Sequence, residues 1–315
     1  MKPKINIIIF LICFSLLGLM QSCSDFLDEK PLSLLSTDEV LSTEDGFENY
    51  ITAMHKAARD EMTARDQVKY FYIMQAGTDV ASFGHVTPSI NDYYKLLTPG
   101  AEQMAWVWNW AYRDMILQCN TIITYAENPK NGMQWSSEEK KNAIVGEAKF
   151  FRAYTYNMLA NLYGGVPLVD VIYHSPKTDF VRSTREEILE FVKEDLVFAS
   201  KWLPKTVEKA KEGRIVKAAA DHLLAEVYIS LGFYDLAVNS ASDVIDSGLY
   251  QLMRNRFGSE KNLPGDVFSD LFRDGNQNRS SGNLESIYVW QIEDMTTGGQ
   301  GASNGNNRLR NWGPW

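Results

Sequence analysis

The stretch from Lys217 to Gly248 leaves this chain the fewest choices of fold. Ala225, Tyr228 and Ala237 set a small, an aromatic and a small residue at fixed offsets, with Gly232 and Phe233 between the two apolar runs. Val244 and Ile245 close the second run, and Gly248 follows it. Small residues let two antiparallel helices approach closely, while an aromatic ring fills the space toward the next element. Glycine just past a last turn takes the left-handed backbone that ends a helix. The pattern therefore predicts a tight helical hairpin.

The upstream sequence predicts more of the same. Trp108, Tyr112, Met115, Cys119, Ile122 and Ala126 recur in steps of four and three, one face of a helix that Asn128 and Pro129 stop. Trp106 and Trp110 fall off that stripe, toward a second hairpin or a ligand. Ser136 and Glu139 read as a capping box opening a helix through Ile144, Ala148, Phe151, Thr155, Met158 and Leu162, ended by Gly164, Gly165 and Pro167. Ser183 or Thr184 starts another, carrying Ile188, Val192, Leu196, Ala199 and Leu203 before Pro204. Glu147 and Arg152, on a helix otherwise packed by apolar residues, read as internal ion-pair or cap partners rather than catalysts. Helix pairs of this kind have the spacing of irregular tetratricopeptide repeats; a non-repeat helical bundle is the other architecture that fits.

The N-terminus is expected to contribute no fold. Lys2 and Lys4 precede an apolar run from Ile5 to Met20, too short to span a membrane and the right length for a secretory signal. Ser22 before Cys23 reads as a lipoprotein processing site, making residues 1–22 the signal and Cys23 the lipid attachment point. Two or more acyl chains anchor a protein stably. Cys13 would leave with the signal, so Cys119 remains the one free thiol and no internal disulfide can form. The net charge of −9 repels phosphate backbones, which argues against nucleic acid as a partner.

After about residue 255 the composition turns to Gly, Asn, Asp and Ser. The residues from Glu285 to Ile292 alternate like a strand, and a second loop follows. The expected domains are thus 23–255, helical, and 256–315, the start of a loop-rich, partly β subdomain cut off at the chain's end. Asp274, Asn276, Asn278 and Glu285 fall at positions 1, 3, 5 and 12 of a calcium loop. Arg279 stands where the turn requires glycine, so no metal is favoured and a polar surface turn is expected. The sequence holds no GxSxG elbow, HExxH helix, Walker loop or paired CxxC, and its four histidines lie on separate segments without metal-ligand spacing. No cofactor and no catalysis are expected.

Five blocks carry a resemblance to a known family: CSDFLDEKP from Cys23, GEAKFFRAYTYNMLANLYGGVPLV from Gly146, DLVFASKWLP from Asp195, GRIVKAAADHLLAEVYISL from Gly213, and YDLAVNSASDVIDSGLY from Tyr234. In collinear order from Cys23 to about Ile292, the chain resembles the SusD/RagB outer-membrane nutrient-binding lipoproteins. That resemblance implies a mainly α fold of irregular tetratricopeptide-like hairpins bearing a variable, loop-rich subdomain, here incomplete at the C-terminus. It implies a lipid-anchored protein facing the cell surface that captures oligosaccharide, or peptide, and passes it to a SusC-like TonB-dependent barrel. Loop aromatics and amides suit sugar, since ring faces meet C–H faces while polar groups take hydroxyls. The candidates are Asp79, Asn91, Tyr93 and Tyr94 in the loop before the tryptophan-rich helix, and Trp312 and Trp315 near the end. Packing over neighbouring elements is the alternative role for each aromatic. The alternative functions are a tetratricopeptide scaffold for a protein partner and a surface glycoside hydrolase.

Overall fold

The computed structural model describes residues 36–63 and 102–293. The chain divides into two units, Met1–Val40 and Leu41–Trp315. In the first, α1 (Thr37–Val40) is a single turn closed by a reciprocal cap, with Glu39 N donating to Ser36 Oγ at 3.2 Å and Ser36 N donating to the Glu39 carboxylate at 2.8 Å. The second unit is an array of helices. Among the described residues no helix is long and apolar enough to cross a membrane.

Helix α2 (Glu44–Thr63) starts where the Thr43 hydroxyl accepts from Gly46 N at 3.1 Å, and it buries Phe47, Ile51, Met54 and Ala58 as one stripe. Next come α3 (Glu102–Asn109), a π-helical segment (Trp110–Ile116) and α4 (Leu117–Glu127), whose junctions keep right-handed helical backbone. Helix α5 (Glu138–Tyr163) is central, packing against α2, α4 and the following helix, and it is buried on nearly every side. Ser137, not Ser136, caps it by accepting from Lys140 N, and Gly164 ends it at φ 71°. The Thr184 and Glu187 capping box opens α6 (Arg185–Trp202), which buries Ile188, Val192, Leu196 and Ala199 against α5.

The hairpin expected from its small residues forms as α7 (Lys217–Leu231) and α8 (Tyr234–Ile245). Gly232 turns left-handed at φ 79°, its N–H donating to Ile229 O at 3.1 Å while Phe233 N donates to Tyr228 O at 2.8 Å. Those two bonds satisfy carbonyls the helix would otherwise leave open.

Buried charges lock neighbouring hairpins together. Arg152 on α5 donates from Nε and Nη2 to Asp195 on α6 at 2.7 and 2.9 Å, and from Nη1 to Asn120 on α4 at 2.8 Å. Glu147 on α5, 3% exposed, accepts from Arg214 Nε and Nη2, from Ile215 N at 3.0 Å and from His55 Nε2 at 2.5 Å. The other ring nitrogen of His55, Nδ1, lies 3.3 Å from the Tyr288 hydroxyl. Burial alone would raise the Glu147 carboxyl; the His55 and Arg214 charges and hydrogen bonds overcome it and hold the group down at about 2.

From α8 to residue 293 the chain is irregular apart from α9 (Val267–Leu271) and one 3₁₀ turn (Arg279–Ser281). The strand expected over 285–292 does not form. Its residues are half-buried without alternation, and its carbonyls serve side chains: Val289 O accepts from Gln291 Nε2 at 3.1 Å, and Gln291 O accepts from Arg59 Nη1. Ile287 packs against Val216, Ala218 and Val244. With no strand beside it among the described residues, the segment is held by side chains rather than by a ladder.

Candidate functional site

The excursion between α5 and α6 builds a groove with the tryptophan-rich helix. It folds back on itself at one antiparallel bridge, Pro167 to Arg182, with Ser183 N donating to Val166 O at 2.9 Å and Arg182 Nε donating to Gly165 O at 2.7 Å. Helix side chains then pin its backbone. The Tyr112 hydroxyl donates to Pro167 O at 2.6 Å, and Asn120 Nδ2 donates to Val169 O at 3.0 Å and Val171 O at 3.3 Å. The Tyr156 hydroxyl accepts from Val169 N at 2.7 Å. Burial pushes the Tyr112 and Tyr156 hydroxyls well above the usual phenol range, so both stay protonated.

The result is an apolar cleft of about 290 Å³ floored by Ile116, Leu117 and Val169 and walled by Trp108, Tyr112, Tyr173 and Phe180. Trp108 meets Tyr112 at 4.8 Å between ring centres and Tyr163 edge-on at 5.5 Å. Across the cleft Tyr173 and Phe180 meet edge-on at 5.7 Å, and the Lys177 ammonium lies over both rings. Tyr173 and Phe180 are 45% and 42% exposed, a large surface to leave in water unless something covers it. No carboxylate lines the cleft. Ring faces, one indole N–H and one phenol hydroxyl are what it offers, which suits stacking on a ligand rather than proton transfer.

This placement corrects the reading of the tryptophans. Trp110, not Trp108, is the core residue, 2% exposed with Nε1 donating to Ala57 O at 2.8 Å, while Trp108 is half-buried on the cleft. Trp106 stacks on Trp110 at 6.5 Å. The π segment is the reason: its wider i→i+5 turn inserts about one residue, rotating what lies upstream by about 100° relative to a regular helix. Met115, Cys119, Ile122 and Ala126 downstream keep the predicted buried face.

The other predicted positions divide in two. Cys23, Asp79, Asn91, Tyr93, Tyr94, Trp312 and Trp315 lie outside the described residues. Of the calcium-loop set, Asp274 is exposed, whereas the rest have protein partners. Asn276 accepts from Ser259 N and donates to Asp270 O, Asn278 exchanges two amide hydrogen bonds with Gln291, and Glu285 accepts from Met253 N at 2.8 Å. Among the described residues no three His, Cys, Asp or Glu side chains group as a metal site would need. Sequence reading passed over Tyr173 and Phe180; the one signal was two aromatics in a stretch otherwise rich in Pro, Ser and Asp.

Residues 25–229 match the model of a SusD-like family described as starch-binding and associating with the outer membrane. The chain belongs to that SusD-like family. It is 28% identical over 255 residues to SusD-like protein P2 of Formosa agariphila, an alignment covering 78% of this chain and 46% of the relative. Its fold is shared with a SusD-like protein of Bacteroides fragilis at a TM-score of 0.62 and 22% identity, covering 86% of this chain and 49% of that one. It is likewise shared with a laminarin-binding SusD-like protein at 0.56 and 19%, covering 68% and 47%. The chain thus spans about half the length of the relatives it matches.

Proposed function

We propose that this protein is a nutrient-capture subunit at the outer membrane, binding oligosaccharide without cleaving it and passing it to a SusC-like TonB-dependent barrel. Membership of the SusD-like family across residues 25–229 carries the reading. A lipid on Cys23 would hold the protein at the cell surface, where an acidic chain is kept from neither neutral sugar nor barrel. Within the described residues, the cleft of Trp108, Tyr112, Tyr173 and Phe180 is the surface best suited to stack on pyranose rings. Asp79, Asn91, Tyr93 and Tyr94, with Trp312 and Trp315, belong to the same proposal as suppliers of hydroxyl contacts and further stacking.

Calorimetric titration with malto- and laminari-oligosaccharides tests the binding half. Saturable binding that Trp108→Ala weakens about tenfold, with no new reducing ends, supports it. Reducing ends appearing with time would instead mean a hydrolase, and no binding to any glycan would leave a protein scaffold. Gentle detergent extraction of the native lipoprotein tests the delivery half: a large β-barrel should co-purify in fixed stoichiometry.

A further inference from the structure

We propose a second carbohydrate subsite, on the helical array itself, in the open groove between the ends of α4, α5 and α6. The proposal rests on the glycan reading above and extends it to a surface built by helices alone. The groove holds about 540 Å³, within the range of small-ligand sites. Phe198 and Trp202 on α6 form its aromatic side, their rings 6.4 Å apart and tilted by 40°. Two tilted planes in a row suit successive sugar rings, which do not lie coplanar along a glycan.

Several of the polar groups around these rings are uncommitted among the described residues. Glu127, Lys141 and Glu194 line the groove, and among the described residues neither they nor the Trp202 indole N–H have a hydrogen-bond or ion-pair partner. Asn142, buried, donates through Nδ2 to Glu138 at 3.3 Å and keeps its carbonyl oxygen open. Elsewhere in the array charged side chains pair closely, as Lys149 does with Asp195 at 2.7 Å and Lys217 with Asp221 at 2.8 Å. Acceptors and donors set around aromatic faces match a polyol, whose hydroxyls both donate and accept. Three carboxylates against two ammonium groups, those of Lys141 and Lys201, make a weak net field that disfavours a polyanion. One face of each ring already carries a cation, Lys149 at 5.3 Å over Phe198 and Lys201 at 4.9 Å over Trp202. An uncharged ligand is therefore the fitting occupant.

The test uses the whole protein with laminarihexaose and maltoheptaose, read by calorimetry and by the indole N–H resonances. The wild type should show the Trp202 resonance shifting with sugar. Trp202→Ala should abolish that event and halve the stoichiometry, or lower its affinity about tenfold, while leaving the Trp108-dependent event in place. Glu194→Gln, an exposed change that leaves the fold alone, should weaken the same event only. Binding that is lost in Trp108→Ala and untouched by Trp202→Ala and Glu194→Gln overturns the subsite and leaves the proposed function standing. A Trp202 shift that survives Trp108→Ala supports the subsite as a site independent of the cleft. Silence of every indole toward both sugars overturns subsite and glycan reading together.

Discussion

Replacing Glu147 by glutamine should cost this protein more than almost any other single conservative change. The carboxylate is 3% exposed and satisfies Arg214, His55 and the N–H of Ile215 together. Removing one member of a buried pair costs roughly 3–5 kcal/mol, because the remaining charge stays desolvated. Ionisation gives a second route to the figure: a drop from 4.5 to about 2, at about 1.4 kcal/mol per unit, corresponds to about 3 kcal/mol. At roughly 2 °C per kcal/mol for a body of this size, Tm should fall by about 6–10 °C. The folded carboxyl sits below its unfolded value, so the stabilisation is fully present above pH 4.5 and is lost as pH falls through about 2. Urea unfolding of wild type and Glu147→Gln at a series of pH values checks both parts. A loss under about 1 kcal/mol at pH 7, or a gap between the two proteins that stays constant below pH 4, would refute the account.

Three further changes have outcomes set by the structure. A methyl group at Gly146 would meet Leu203 Cγ at 3.5 Å and Ala199 Cα at 3.6 Å, ordinary contact distances, so Gly146→Ala should gain roughly 0.5–1 kcal/mol of unfolding free energy; a loss would mean that α5 and α6 lie closer than described. Cys119 is buried and its thiol pushed up by burial, so a thiol reagent at pH 8 should label it no faster than the protein opens, as stopped-flow absorbance can follow. Thr184→Ala removes the hydroxyl that accepts from Glu187 N at 3.2 Å and should cost about 1 kcal/mol in urea, with Thr184→Ser restoring most of it.

Where the folding instruction is local, it was readable in the chain. The Thr184 cap, the buried row from Ile188 to Leu203, and the Gly232 turn involve residues a few positions apart, and spacing alone reveals them. Where a distant residue decides, spacing fails. Ser136 and Ser137 are equally good caps on paper, but Glu44 accepts from both the backbone N–H and the hydroxyl of Ser136 and leaves the capping to Ser137. Trp108 was misplaced because a regular helical period was carried through Trp110–Ile116, where the winding changes. The run from Glu285 to Ile292 has strand-like alternation, yet a strand is a property of two segments, and its hydrogen-bond partners come from side chains and loops. The aromatic cleft was invisible for the same reason: Trp108 and Tyr173 are far apart in the chain and meet only through the pinned excursion.

Those pins have a consequence for how such a surface can change. Tyr112, Asn120 and Tyr156 hold the cleft wall by grasping the backbone of residues 167, 169 and 171, never their side chains. Every amino acid brings the same carbonyl oxygen, so the clamps are blind to what the wall displays. Val171, Tyr173 and Phe180 can be exchanged for other side chains while the frame that presents them stays fixed. The side chains this surface displays can therefore change one at a time without disturbing the hydrogen bonds that hold it.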